Sequence, residues 1–288
     1  MRLALGTVQF GLPYGVANAT GQVPQAEVRA ILQLARQQGV DVLDTAMDYG
    51  HSESVLGKAQ VNDFKVITKL PGMPDGVSDP GSWVEQHVRA SLARLGLLRL
   101  HGLLLHRPRQ LLGPQGPALV KSLHRLKAQG LVERVGFSIY DPLELDSLLP
   151  VMRPDLVQAP LNLMDRRLVN TGWLARLHEL GVAVHARSVF LQGLLLMPAR
   201  SRPAQFSPWN HLWQRWDDWV HMHGASSARA ACLSFVLSHT AIERAVVGVD
   251  HLAQWQQLLD SCRCSPSEWP PLSCEDLGLI DPSQWGRA

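Results

Sequence analysis

Val40–Gly57 reads VDVLDTAMDYGHSESVLG, and the way it breaks decides the fold. A short apolar run ends in Asp44, a loop carrying Tyr49 follows, and SESVLGKA then resumes with helical character. A continuous apolar run, rather than an alternating one, marks a strand covered on both faces, as in a parallel sheet. The segment is one strand–loop–helix unit. An acid and a phenol stand where the strand gives way to the loop.

The same unit recurs along the chain. RLALGTV precedes a helix over about Pro24–Gln38, KVITKL one around Trp83–Leu95, and LHGLLLH one around Gly116–Gln129. VERVGFSI is followed by a helix around Leu143–Leu149 and DLVQAPL by TGWLARLHELG. VAVHARSV leads into a long loop and the helices of Trp209–His239, and IERAVVGV into DHLAQWQQLLDSC. Eight such pairs in 288 residues predict an α/β fold, a (β/α)8 TIM barrel, as a single domain over residues 1–288. A long loop and extra helix follow strand seven, and residues 263–288 form a C-terminal tail. A doubly wound open sheet is the alternative, but no G-x-G-x-x-G follows the first strand. In the long loop Trp209, Trp213 and Trp216 share a helical face with Trp219 close by. They either pack on the barrel or roof a pocket.

Composition excludes several classes of function. A net charge of +2 makes no electrostatic case for nucleic acid or an anionic membrane as partner. No stretch approaches the ~18 apolar residues of a membrane span, and MRLALGTVQFG lacks the apolar core and cleavage site of a secretory signal. The expectation is a cytoplasmic protein, its oligomeric state open. Cys262, Cys264 and Cys274 cluster near the end, with Cys232 apart. The cluster lacks paired C-x-x-C knuckles and contains no histidine, so reduced thiols and no metal are expected.

Chemistry in such a barrel sits where strands exit into the βα loops. The polar residues there are Asp44 after strand two, Lys69 after three, His106 after four, Ser138 after five, Gln158 in six, and Arg187 with Ser188 after seven, with Tyr49 just beyond Asp44. Taken singly, each has a structural explanation as a cap, a snorkelling cation or a core histidine. Residue usage argues for more. There are 22 arginines (27 basic residues less Lys58, Lys65, Lys69, Lys121 and Lys127), so a lysine at a strand exit suggests a need for a compact ammonium. Only three tyrosines occur, and one lies in this loop. An ammonium near a phenol is expected to lower its pKa, an aspartate to hold the ammonium, and a histidine to donate to a substrate oxygen. Such a tyrosine exchanges a proton with a carbonyl or alcohol oxygen while a cofactor carries the hydride.

With these residues in place the chain resembles an aldo-keto reductase, from LALGTVQFG to AVVGVDHLAQWQQ. LDTAMDYGHSESVLG is similar to the family signature, KVITKL to the strand carrying its lysine, and LHGLLLHRP to the one carrying its histidine. The resemblance implies Asp44, Tyr49, Lys69 and His106 as the catalytic tetrad and a nicotinamide dinucleotide across the barrel mouth. It implies Gly6 and Thr7 after strand one, Asp44, Ser138, Gln158, Ser188 and Phe190, and Gly248 and Gln254 near strand eight as dinucleotide contacts. Ser138 and Gln158 would hold the carboxamide, although Ile139 stands where the family often has asparagine. Arg187 replaces the usual aromatic that stacks on the nicotinamide. The opening LGTVQFGLPYGVANATG looks most like a bacterial branch met among sugar and surface-polysaccharide enzymes. NADP(H) is the family's habit, but VVGVDHLAQWQQLL contains no lysine or arginine for the 2′-phosphate, which leaves NAD(H) a rival. In this expectation Asp250 is an N-cap and Arg200 and Arg202 reach over from the long loop. The implied activity is interconversion of a small carbonyl compound or sugar with its alcohol. A redox-sensing subunit that holds cofactor without turnover, and a metal-dependent barrel hydrolase, are the competing functions.

Overall fold

The eight apolar runs form eight parallel strands in a computed structural model that describes residues 1–224, 227–262 and 268–285. They are β1 Leu3–Gly6, β2 Val42–Asp44, β3 Lys65–Leu70, β4 Leu100–Leu105, β5 Val132–Ser138, β6 Leu156–Pro160, β7 Ala183–Arg187 and β8 Arg244–Gly248. Each strand pairs with its sequence neighbour, and β8 closes on β1 with Gly6 opposite Gly248. The barrel is therefore closed, with no edge strand.

The helices lie where the amphipathic runs place them: α1 Gln25–Gln37, α2 Ser52–Lys58, α3 Pro80–Leu95, α4 Gly116–Ala128, α5 Glu144–Leu148, α6 Arg167–Asn170 and α7 Trp173–Glu179. After β7 come α8 Asn210–His223 and α9 Ser227–Ser238, and after β8 α10 Leu252–Ser261 and α11 Leu277–Ile280. Asp79 begins α3 because its carboxylate accepts the Ser82 N–H and Pro80 occupies the first turn. Trp213, Trp216 and Trp219 are buried, Trp216 donating its indole N–H to the Leu195 carbonyl at 3.0 Å. None of the four tryptophans lines the main cleft; they pack against the hydrophobic core, and Trp213 also borders a smaller cavity beside Arg202 and Asp217. Within the tail, Leu272, Leu279 and Ile280 are buried, and Trp269 donates to Ser234 Oγ of α9 at 3.1 Å. Cys264 falls outside the described residues, while Cys232, Cys262 and Cys274 are free thiols.

Inside the barrel, side chains alternate between the core and the surrounding helices. Ala4, Val42, Ile67, Leu104 and Leu156 form one apolar interior layer. Two residues further along the same strands come Gly6, Asp44, Lys69, His106 and Gln158, which share the next interior level up. A period of two therefore places a polar layer on an apolar floor.

Candidate active site

The centre of that polar layer is a buried ion pair. Lys69 Nζ donates to Asp44 Oδ1 at 2.6 Å and to the Thr45 carbonyl at 2.8 Å, with the two side chains 1% and 5% exposed. Gln158 Nε2 donates to Asp44 Oδ2 at 2.7 Å. A carboxylate only accepts hydrogen bonds, so the Gln158 amide must face it with its nitrogen. Thr7 completes the arrangement by donating its N–H and Oγ1 to the Asp44 carbonyl. Burial pulls the Lys69 ammonium down and Asp44 opposes that pull.

Tyr49 is held beside the pair by a loop whose signature residues are largely structural. Ser52 Oγ donates to the Thr7 carbonyl at 2.8 Å and accepts from Thr45 Oγ1. Glu53, 2% exposed, accepts from Thr68 Oγ1, Ser91 Oγ and Arg94 Nε, which ties α2 to β3 and α3. Gly50 has φ of 53°, and a Cβ there would stand 2.5 Å from the Gly11 carbonyl. A Cβ on Gly57 would stand 2.1 Å from the Arg94 carbonyl, so α2 and α3 approach only because it is glycine.

The phenol of Tyr49 and the imidazole of His106 share the mouth, ring centroids 6.1 Å apart in an edge-on arrangement. Lys69 Nζ lies 5.0 Å from the Tyr49 ring centroid. The expectation that Lys69 lowers the phenol's pKa is not met. Desolvation comes first and the Asp44 carboxylate second, and together they push Tyr49 above its ordinary range. The lysine's nearest charge partner is Asp44, which offsets its field at the ring. His106 is pushed down to about 3 by burial and then by the charges of Lys69, Arg187 and Arg107, so it is neutral at physiological pH.

A cleft of about 760 Å³ opens over this layer. Gly6, Thr7, Asp44, Tyr49, His106, Ser138, Gln158, Arg187, Ser188, Phe190, Gly248 and Gln254 all line it, and only Lys69 of the expected set stands behind the wall. Three residues at the strand-seven exit, Ser188, Leu191 and Gln192, carry positive φ despite their side chains, a strain that concentrates at sites.

Several finer expectations are corrected. Asp250 is not the N-cap of α10; His251 is, with Nδ1 accepting the Gln254 N–H at 3.2 Å, while Asp250 accepts from Asn18 Nδ2. Arg202 is bound to Asp217 at 2.5 and 2.7 Å, packs on Trp213 and does not line the cleft, nor does Arg200. Ile139 is fully buried and offers only its carbonyl, which accepts from Arg187 Nη2 at 2.9 Å.

Sequence reading missed Tyr14, Tyr140 and Arg229, all of which line the cleft. Scarcity was a usable signal for the tyrosines, since all three in the chain converge here. Arg229 has none: it sits in the Ala-rich α9, and only the tertiary fold brings it beside Gln254 and Gln257.

The cleft suits a dinucleotide. The bare exits at Gly6 and Gly248 lie side by side, and buried Gln9 Oε1 and Arg229 Nε have no partner among the described residues. Ser138, Gln9 and Arg229 supply the polar groups that would hold it, with the Thr7 and Asp250 turns beside those two exits.

The profile described as Aldo/keto reductase family matches residues 2–272. The oxidoreductase sirO of Leptosphaeria maculans is 28% identical over 218 residues, covering 72% of this chain and 65% of that protein. The chain thus spans slightly less than two thirds of the length of this curated relative. An aldo-keto reductase of Bacillus halodurans, solved in its holo form, superposes with a TM-score of 0.70 at 18% identity, over 93% of this chain and 88% of that one. A glycerol dehydrogenase of Gluconobacter oxydans superposes with a TM-score of 0.69 at 22% identity, over 92% and 88%. At those identities the solved structures speak to the fold.

Proposed function

The chain belongs to the aldo/keto reductase family, and on that premise we propose that it is an oxidoreductase interconverting an aldehyde, ketone or sugar and the corresponding alcohol with NADP(H) or, less favourably, NAD(H). The observation that carries the reading is the buried Lys69–Asp44 pair set behind a cleft-facing Tyr49 and His106. When bound, the dinucleotide supplies the hydride. Tyr49 gives its hydroxyl proton to the carbonyl oxygen as the carbon receives the hydride, and takes it back from the alcohol in the reverse direction. A phenol held above its ordinary range stays protonated at neutral pH, the state a proton donor needs. Neutral His106 donates a ring N–H to the same oxygen and orients it. Asp44 holds Lys69 in its charged form and positions Gln158 under the nicotinamide end of the cleft.

The preference for NADP(H) rests on Arg229, which lines the cleft near α10 with Nε unpartnered among the described residues and takes the role expected of Arg202. Replacing Tyr49 with Phe deletes only the phenolic oxygen. Carbonyl reduction should fall roughly 10²–10⁴-fold with dinucleotide affinity retained. Turnover above about a third of the wild-type rate, with chemistry rate-limiting, would remove Tyr49 from the role.

A further inference from the structure

Arg187 ends β7 inside the cleft, and no carboxylate among the described residues pairs with it. Its Nη2 donates to the Ile139 carbonyl at 2.9 Å, its Nη1 to Ser188 Oγ at 3.2 Å, and its Cζ lies 4.3 Å from the centroid of the Tyr140 ring. These contacts hold the guanidinium plane still without neutralising it. The acids lining the cleft are engaged elsewhere: Asp44 accepts from Lys69 and Gln158, and Asp250 accepts from Asn18 Nδ2. A guanidinium has five N–H donors, so three remain for a ligand.

A partly buried cation without a counter-charge is costly, and the planar fork of arginine matches a carboxylate. The position says which molecule brings that carboxylate. Arg187 borders the same mouth as Tyr49 and His106, close enough for its charge to act on both. We propose that Arg187 recognises a carboxylate on the carbonyl substrate, so that acidic aldehydes or ketones are selected over neutral ones of the same shape. The inference rests on the oxidoreductase reading for its substrate and on the unpaired guanidinium for its anion.

The test measures binding of 4-carboxybenzyl alcohol and 4-methylbenzyl alcohol to NADPH-saturated protein by calorimetry, where alcohol and reduced dinucleotide cannot react. The ratio of the two affinities is read, because Arg187 also borders the nicotinamide region and any shared effect cancels. Wild type should bind the carboxylate about 10-fold more tightly or better, as charge-assisted hydrogen bonds do. In Arg187→Gln the ratio should fall below about 2-fold. Arg187→Lys, which keeps the charge and loses the fork, should keep part of it and serves if the glutamine variant does not fold. A wild-type ratio near one, or one that survives Arg187→Gln, overturns the proposal. So does a preference present only without dinucleotide, because its phosphates would then be the partner. Turnover of the matching aldehydes is scored separately. An intact binding ratio with no turnover of either would refute the oxidoreductase reading and leave the anion site standing.

Discussion

Asp44→Asn isolates the ion pair at the centre of the site. The carboxylate accepts from Lys69 on one oxygen and from Gln158 on the other, at 2.6 and 2.7 Å. An asparagine offers one oxygen and one NH2, so even with the Gln158 amide turned over to accept from that NH2, Lys69 faces a neutral oxygen in place of a carboxylate. Its ammonium would then have no counter-charge while remaining 1% exposed. Breaking a buried pair on one side costs about 3–5 kcal/mol. In a chain of this size that lowers Tm by about 5–15 °C. The loss also has a pH signature. Burial already holds the folded-state Lys69 pKa below its ordinary value, and Asp44 is what raises it. Without Asp44 it falls further, so between that value and about 10.5 the unfolded chain binds the extra proton. Stability of the variant should therefore recover as pH rises from 7 to 10. Urea denaturation of wild type, Asp44→Asn and Asp44→Asn/Lys69→Met, without dinucleotide, provides the assay. The double variant should be more stable than the single one, because it removes the stranded charge. A single-variant loss under about 1 kcal/mol at pH 7, or one that grows with pH, would refute the reasoning.

Three further outcomes are expected. Arg229→Ala should weaken NADPH binding about 10-fold or more and NADH binding little, measured by fluorescence titration; equal losses would return the 2′-phosphate to another residue. His185, 1% exposed with both ring nitrogens unpartnered among the described residues, is pushed down to about 3 by burial and then by Arg244 and Arg134. It stays neutral in the fold while the unfolded chain takes up a proton below about 6.5, so stability is lost as pH falls through that window. His185→Leu should remove on the order of 3 kcal/mol of the loss between pH 7 and 4, and an unchanged acid limb would exclude it. Trp216→Ala should destabilise by about 3–5 kcal/mol without altering dinucleotide affinity, which titration beside thermal unfolding checks, since a cleft-roofing indole would change both.

Reading the chain alone reached the barrel because its evidence is local. A buried parallel strand must be apolar throughout, and its helix must be amphipathic, so VDVLDTA and SESVLGKA each declare their state within a few residues. The positions of Asp44, Lys69 and His106 were legible for the same reason, since a polar residue near the end of an apolar run marks a strand exit, and Gln158 stood out as a polar residue within such a run. Ser52, Glu53 and Gly57 were legible as a pattern, but their work was not: the partners Thr7, Ser91 and Arg94 lie far off in sequence. Electrostatics was likewise beyond local reading. Whether Lys69 acts on Tyr49 or on Asp44 depends on which atom lies at 2.6 Å, and on how much water the fold removes from the phenol. Long loops escaped for a related reason. Arg202 chose Asp217, His251 displaced Asp250 as the cap, and Arg229 entered the cleft, because side-chain partners are settled by three-dimensional proximity that spacing along the chain does not encode.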